Sequence, residues 1–280
     1  MHMPALNIDW GEVWKDQMLR HEDADMLGEA EDVWGTYENA KKFWESSRKD
    51  GKRIKKSLSE IEFNENSRVL DIGAGPGSLT IPLAEHVAHV TAVEPSDGMT
   101  KVLEENIADS GLDNITHIKK AWEDVDVGEL YGPYDVIIAS YSLHVPDMKQ
   151  AIEKIQAVSN GNVYIYWFAG DTSWDVDYNK IWPILHNREY CPFPKCDIIY
   201  NILYNMGIYP NIETFELTHT SRYSSLDEAV RHYRFHYRIS TPRQEQLLKK
   251  HLESILRKEG DELIMENRTT RVRMWWSNSI

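Results

Sequence analysis

The stretch VLDIGAGPGSLT, residues 69–80, constrains this chain more than any other. A short strand-like run, Val69 to Ile72, passes into a turn with glycine at 73, 75 and 77 and then into a helix-compatible segment. Glycines at alternate positions open backbone conformations closed to other residues and let a ligand approach the main chain. A strand, a glycine turn and a helix start in succession form a seat for an adenosine-bearing cofactor in open α/β sheets.

The flanking pattern supports such a sheet. Strand candidates at 68–72, 89–94, 115–119, 134–140 and 162–168 alternate with helical stretches near 77–87, 97–110 and 147–158. That alternation predicts a mostly parallel sheet covered by helices on both faces. Right-handed crossovers bring the loops after the strands to one edge, where ligands bind. Residues 1–66 read as a helical, tryptophan-rich cap holding Trp10, Trp14, Trp34 and Trp44, and 67–280 as the main domain with its core at 67–170. Asp171 to Pro194 reads as an irregular aromatic insertion. After it come a helix at Ile198–Met206, a strand at Asn211–Tyr223, helices at Leu226–Tyr237 and Thr241–Lys258, and a closing alternating strand, RTTRVRMWW. The segments near 171–195 and 224–260 are the expected lids.

Bulk properties exclude several classes. The 280 residues carry 45 acidic against 31 basic side chains, a formal net charge of −14, which disfavours a phosphate-tracking nucleic-acid binder. The basic run Arg48–Lys56 is read as a solvated helix face. Two cysteines, Cys191 and Cys196, are too few for a disulfide framework or a zinc site, so no metal is expected. The opening MHMPALNIDW lacks a secretory pattern, the longest apolar runs are strand-sized, and the expected location is the cytoplasm, with no membrane partner.

The glycine spacing separates two cofactors. A dinucleotide fingerprint reads G-x-G-x-x-G, whereas here Gly73, Gly75 and Gly77 give G-x-G-x-G with Ser78 where the third dinucleotide glycine belongs. Asp71 precedes the turn by two residues, a poor neighbour for a pyrophosphate but a good one for an ammonium and a sulfonium. Glu94, 21 residues after Gly73, stands where a carboxylate accepts both ribose hydroxyls, which fits either ligand.

On VLDIGAGPGSLTIPLA, VTAVEPSDGM and YDVIIASYSLHVPD, the chain resembles the class I, seven-stranded S-adenosylmethionine-dependent methyltransferases. Within them it is most similar to the small-molecule branch related to the quinone-biosynthesis enzymes (methyltransferase type 11). The resemblance covers roughly residues 67–170. It implies a Rossmann-like sheet of seven strands with an antiparallel edge strand, S-adenosyl-L-methionine as donor and S-adenosyl-L-homocysteine as product. It implies that Gly73, Ala74, Gly75 and Gly77 pass under the methionine part and that Asp71 helps position the amino group. Glu94 would bind the ribose, Pro95 and Ser96 would shape the turn, and Met99 would pack on the adenine. The chain departs from the family at Ala121 and Trp122, where an acid and a small residue are usual; Glu123 is then the candidate for the adenine amino contact, with Trp122 against the ring. Ser140 would face the cofactor, and Tyr141 to His144 would begin the substrate wall.

Methyl transfer from a sulfonium is an in-line displacement with an activated leaving group, so alignment and water exclusion matter more than a catalytic motif. His144 and Tyr141 are the candidates for proton transfer where the acceptor needs it. Tyr37, Tyr178, His186, Tyr190, His232, Tyr233 and His236 are candidates for the pocket lining. The leading expectation is methylation of a small molecule. The competing ones are methylation of a protein side chain, an NAD(P)-dependent oxidoreductase, and a cofactor-binding regulator without catalysis. Arsenite methylation is set aside because it relies on several cysteines.

Overall fold

The structure, a computed structural model, describes residues 8–23, 35–49 and 51–278. Trp34 and part of the expected cap lie outside them. Helices α1 (Trp10–Asp23), α2 (Tyr37–Lys49) and α3 (Gly51–Glu60) precede the sheet. Then follow β1 (Arg68–Ile72), α4 (Thr80–Ala84), β2 (His89–Val93), α5 (Asp97–Ser110), β3 (Ile115–Ile118), β4 (Tyr134–Ser140), α6 (Met148–Val158) and β5 (Ser159–Phe168). The remainder comprises α7 (Ser173–His186), α8 (Cys196–Asn205), β6 (Asn211–Tyr223), α9 (Leu226–His236), α10 (Pro242–Ile255), β7 (Arg257–Glu259) and β8 (Glu262–Ser277).

Strand order is β3-β2-β1-β4-β5-β8-β6, with short β7 paired to β8. Strands β1 to β5 pair in parallel, and β8 runs antiparallel to both β5 and β6. The antiparallel strand expected at the edge therefore sits one place in, and β6 forms the edge. Order reverses between β1 and β4, which opens a crevice beyond their carboxyl ends, where such sheets take ligands. Strands β1, β2, β4 and β5 form as read because their apolar runs are buried on both faces, as parallel strands require, whereas the edge strand β3 is half-buried throughout.

One face is sealed by α1, α6 and α8 around a core that includes Trp14, Ile137, Ile152, Trp167 and Ile199. On the other face Val69, Leu83, Ile138 and Tyr166 pack together with Ile54 and Leu58 of α3. A third cluster joins the two lid segments: Ile181 and Leu185 of α7 meet Ala229 of α9 and Leu248 of α10. The insertion read as irregular is thus largely helix α7. Its start is fixed by a capping box in which Thr172 and Asp175 exchange side-chain and backbone hydrogen bonds, and Ile181, Trp182 and Leu185 are buried. The helix expected at 77–87 shrinks to five residues because the turn runs on to Leu79; Pro82 falls in its first turn, where a missing amide costs little.

The N-terminal helices divide between two faces. Trp14 of α1 is fully buried and its indole N–H donates to Val145 O at 2.8 Å, so it is core rather than lid. Helix α2 instead lies along α5, with Ala40 against Met99 and Val102. At its start it presses on Gly98, where a Cβ would come within 2.5 Å of the Thr36 backbone. Gly98→Ala is therefore expected to cost about 1–3 kcal/mol through overpacking, read as a lower urea midpoint. An unchanged midpoint would mean that α2 does not close on α5.

Candidate active site

Gly73, Gly75 and Gly77 all have positive φ, at 70°, 56° and 90°. At Gly73 and Gly77 the space is also closed. A Cβ on Gly73 would lie 2.2 Å from Ser142 Cβ, and one on Gly77 2.8 Å from Leu103 Cδ1. Gly75 differs, since nothing stands within 4 Å of a Cβ there. The loop is packed at both ends and open at its middle, which fits a ligand resting on Gly75.

Hydrogen bonds fix this shape before any ligand arrives. Gly73 and Ala74 amides both donate to Val93 O, at 2.8 and 3.0 Å. The Glu94 carboxylate accepts from the Gly75 amide at 2.8 Å through one oxygen and from the Ser96 amide at 2.9 Å through the other. A carboxylate has about four acceptor positions, so two remain for ligand hydroxyls. Burial raises the Glu94 pKa, and the two amide bonds oppose that rise. Ser142 Oγ donates to Ile72 O, and Asn106 Nδ2 to Pro76 O at 2.7 Å. Ser47 of α2 meets Ser78 at 3.0 Å, bringing the cap onto the far end of the turn.

Asp71 lies beneath the loop, 2% exposed, its Oδ2 accepting from Thr80 Oγ1 at 2.6 Å. Desolvation pushes its pKa up to about 6, against the Thr80 bond and with a smaller push from Glu94. Enclosed in this way, Asp71 braces the start of α4 through Thr80 and sets a buried negative charge beneath the turn when ionised. Ala74 packs inward with Ala92 and Leu103. Pro95 is exposed and Ser96 half-buried, its side chain capping α5 through the Met99 amide.

Three expected adenine neighbours are placed otherwise. Met99 is buried between α5 and α2. Trp122 is 4% exposed in the main core, donating its indole N–H to Ala151 O at 3.2 Å, with Lys154 Nζ 5.6 Å from its ring centre. Glu123 is exposed, and its backbone oxygen accepts from Lys154 Nζ at 2.6 Å. In both aromatic and methionine cases burial of apolar surface against a neighbouring helix outweighs a ligand-facing position.

Ser140 ends β4 half-buried, next to the Gly73 turn. Tyr141 follows at φ 58°, a left-handed conformation that costs a non-glycine residue about 1–3 kcal/mol. His144 is exposed on the loop after β4, although neighbouring side chains crowd its ring. Its ring lies 4.6 Å from Phe193 and 5.1 Å from Trp167, centre to centre. Desolvation, with a lesser contribution from His21, pushes its pKa down to about 4. Among the described residues neither ring nitrogen of His144 is hydrogen-bonded. A neutral imidazole with accessible nitrogens can take a proton throughout the neutral range.

The lid residues divide. Tyr37 donates to Glu105 at 2.9 Å on the α5 side. Tyr190 donates to buried Asp175, which also pairs with Lys195 at 2.6 Å. His186 bonds Tyr237 O at 3.0 Å, and Tyr178 packs among Trp182, Tyr190 and Tyr237. These four are brace rather than lining. His232 and His236 lie 5.2 Å apart on α9, beside Tyr233, and burial pushes His236 down to about 4. The sequence reading missed Thr80, which braces Asp71, and Asp175, which caps α7 and pairs with Lys195.

This crevice, with its open glycine turn and tethered acid, defines an α/β fold built for a nucleoside-bearing cofactor. Residues 69–161 match a family model described as "Methyltransferase domain". An uncharacterised protein of Haemophilus influenzae is 31% identical over 161 residues, covering 57% of each chain. The sterol 4-C-methyltransferase strm-1 of Caenorhabditis elegans is 27% identical over 146 residues, 49% of this chain and 42% of that one. The chain thus spans about half the length of the curated relatives it matches. The crystal structure of YcgJ protein from Bacillus subtilis superposes with a TM-score of 0.55 at 14% identity, covering 79% of this chain and 97% of that one. Residues 69–161 are thus similar to a methyltransferase domain, and the chain shares the fold of that solved structure. Among the described residues no helix is long and apolar enough to cross a membrane.

Two outcomes follow from the titrating groups. With its pKa near 6, Asp71 is ionised at pH 7 and mostly protonated at pH 5. Without ligand, the stability linked to Asp71 declines as pH rises from its ordinary 3.8 towards 6, because the folded state holds the proton more tightly. Affinity for cationic S-adenosylmethionine should move oppositely, weakening about tenfold, about 1.4 kcal/mol, between pH 7 and 5. Calorimetry should find that dependence flattened in Asp71→Asn; an equal slope in the variant would exclude Asp71. For His144, imidazole NMR should keep the ring neutral down to about pH 5, whereas a midpoint at its ordinary 6.5 would mean that the ring is not enclosed.

Proposed function

We propose that this protein methylates a small-molecule acceptor, the donor resting on the Gly73–Gly77 turn and the acceptor lying against Tyr141 and His144. The observation that carries the reading is the turn itself, closed at Gly73 and Gly77, open at Gly75, and tied to Glu94 by the Gly75 amide. When bound, S-adenosylmethionine supplies a methyl group on an activated sulfur leaving group, which keeps the bonding pair and departs as S-adenosylhomocysteine.

The chain's own residues do the remaining work. The turn's main chain receives the methionine part, and Glu94 offers its two remaining acceptor positions to the ribose hydroxyls. The buried charge of Asp71 favours a cationic donor over a diphosphate. Tyr141 and His144 face the acceptor from the loop after β4, and a protonated acceptor can give its proton to neutral His144. The α7–α9–α10 cluster and α2 are the elements that would close over the crevice and keep water from competing for the methyl group. A small acceptor suits this enclosure, and the sterol methyltransferase relative acts in keeping with it.

Thermal stabilisation against S-adenosylmethionine, S-adenosylhomocysteine, NAD and NADP tests the reading, because a ligand specific to the folded state raises the apparent Tm with concentration. The first two are expected to stabilise the wild-type protein. Gly75→Leu and Glu94→Ala are expected to abolish the response, with Glu94→Ala also costing about 1–3 kcal/mol by orphaning two amides. A response to the nicotinamide compounds alone would overturn the reading.

A further inference from the structure

Strand order sets how an extended donor lies along the sheet edge. With the methionine part on the turn after β1 and the ribose at Glu94, one step past β2, the base reaches the end of β3, the next strand outward. The two loops are joined there, because the Glu94 amide donates to the oxygen of Ile118, the last residue of β3, at 3.1 Å. The side chains past β3 are not aimed at a base: Ala121 carries only a methyl, the Trp122 ring is in the core, and Glu123 is exposed. What the loop offers a flat ligand is its main chain, so the placement of that main chain decides the fit.

Lys154, on α6, sets that placement. Its Nζ donates to Trp122 O at 2.9 Å, to Glu123 O at 2.6 Å and to Val125 O at 2.9 Å. A lysine ammonium has three protons to give, and here all go to one short stretch of backbone. The same nitrogen lies 5.6 Å from the centre of the Trp122 ring, whose indole N–H donates to Ala151 O on the same helix. Packing does not tie the outer side of the loop to α6, because a cavity of about 120 Å³ lies among Glu123, Pro146 and Gln150. The ammonium does so instead. Two other lysines of the loop are used differently: Lys119 pairs with Asp97 and Lys120 with Glu129 in exposed positions, where ion pairs contribute little.

We propose that Lys154 is a positioning residue for the donor, holding the loop after β3 in the shape that receives adenine and tells it from other bases. The inference rests on the methyltransferase reading above. Lys154 acts through the carbonyls it binds and does not itself touch the base. A hydrogen bond from a charged donor is stronger than a neutral one, and three from one ammonium fix the short turn Trp122–Asp124 as a unit. Main-chain groups distinguish one base edge from another only when they are held in place by such support. Helix α6 also begins just past Tyr141 and His144, so one helix carries the loop at the base and the wall at the acceptor.

The test is calorimetric titration with three compounds: S-adenosylhomocysteine, S-inosylhomocysteine, which changes only the base, and methylthioadenosine, which keeps the base and lacks the amino-acid end. The wild-type protein should prefer the adenosyl to the inosyl compound by about tenfold or more. Lys154→Met, which keeps the apolar stem, should weaken S-adenosylhomocysteine by about tenfold and shrink that base preference to about threefold or less. Its ratio of S-adenosylhomocysteine to methylthioadenosine affinity, which reports on the turn after β1, should stay at the wild-type value. Lys154→Gln, with two N–H donors on a shorter stem, should fall between, and it decides the matter if the Met variant does not fold. A base preference that survives in the folded variants, including uniform weakening of all three compounds, would overturn the proposal, as would equal binding of the two bases by the wild-type protein. Failure of the wild-type protein to bind any of the three would instead strike the donor reading itself.

Discussion

The structure turns on one carboxylate that does two jobs at once. Glu94 holds Gly75 with one oxygen and Ser96 with the other, and so joins the turn after β1 to the turn after β2. Remove it and two amides lose their acceptor, the open face of the turn loses its shape, and α5 loses its entry angle. The same group then presents its remaining lone pairs to the crevice. A ligand meeting this site finds it already organised, and the ordering cost is met during folding rather than at binding.

The parallel half of the fold was legible in the sequence because its signals are backbone signals. Apolar runs such as Val69–Ile72 and Val136–Ala139 belong to strands buried on both faces, and glycine spacing reports conformations that other residues avoid. Glu94 was legible for the same reason, being one step past a strand end. Side-chain roles were less so. Met99 and Trp122 sit at positions where the family meets adenine, yet which way a large apolar side chain points depends on the neighbouring helix, here α2 and α6. No local pattern encodes that choice. Asp171 to Pro194 was misread because its aromatic residues mask a helical face and its capping box, Thr172 with Asp175, was overlooked. The ring frame of Arg271 was not legible because Tyr141, Phe168 and Trp174 lie between 97 and 130 residues before it in the chain (174 and 141 against 271).

The aromatic content also resolves into distinct uses. Trp14 and Trp167 fill the core under the wall, with their indole N–H groups committed to Val145 O and Pro194 O. Tyr178, Trp182 and Tyr190 stiffen the lid around Asp175 and its lysine. Tyr141, Phe168 and Trp174 surround a cation. The N-terminal helices, which read as one cap, serve two separate faces: α1 completes the core beneath His144, and α2 clamps the donor turn.

The placement of β8 has a consequence for how the molecule comes together. The edge strand β6 pairs with β8 rather than with β5, so it has no seat in the sheet until a segment some forty residues later has been made (223 to 262). The donor turn draws only on residues up to Ser142, and its scaffold of nearby parallel strands is complete long before that. During synthesis the parallel half of the sheet is therefore complete before β6 can join it, on the arrival of β8.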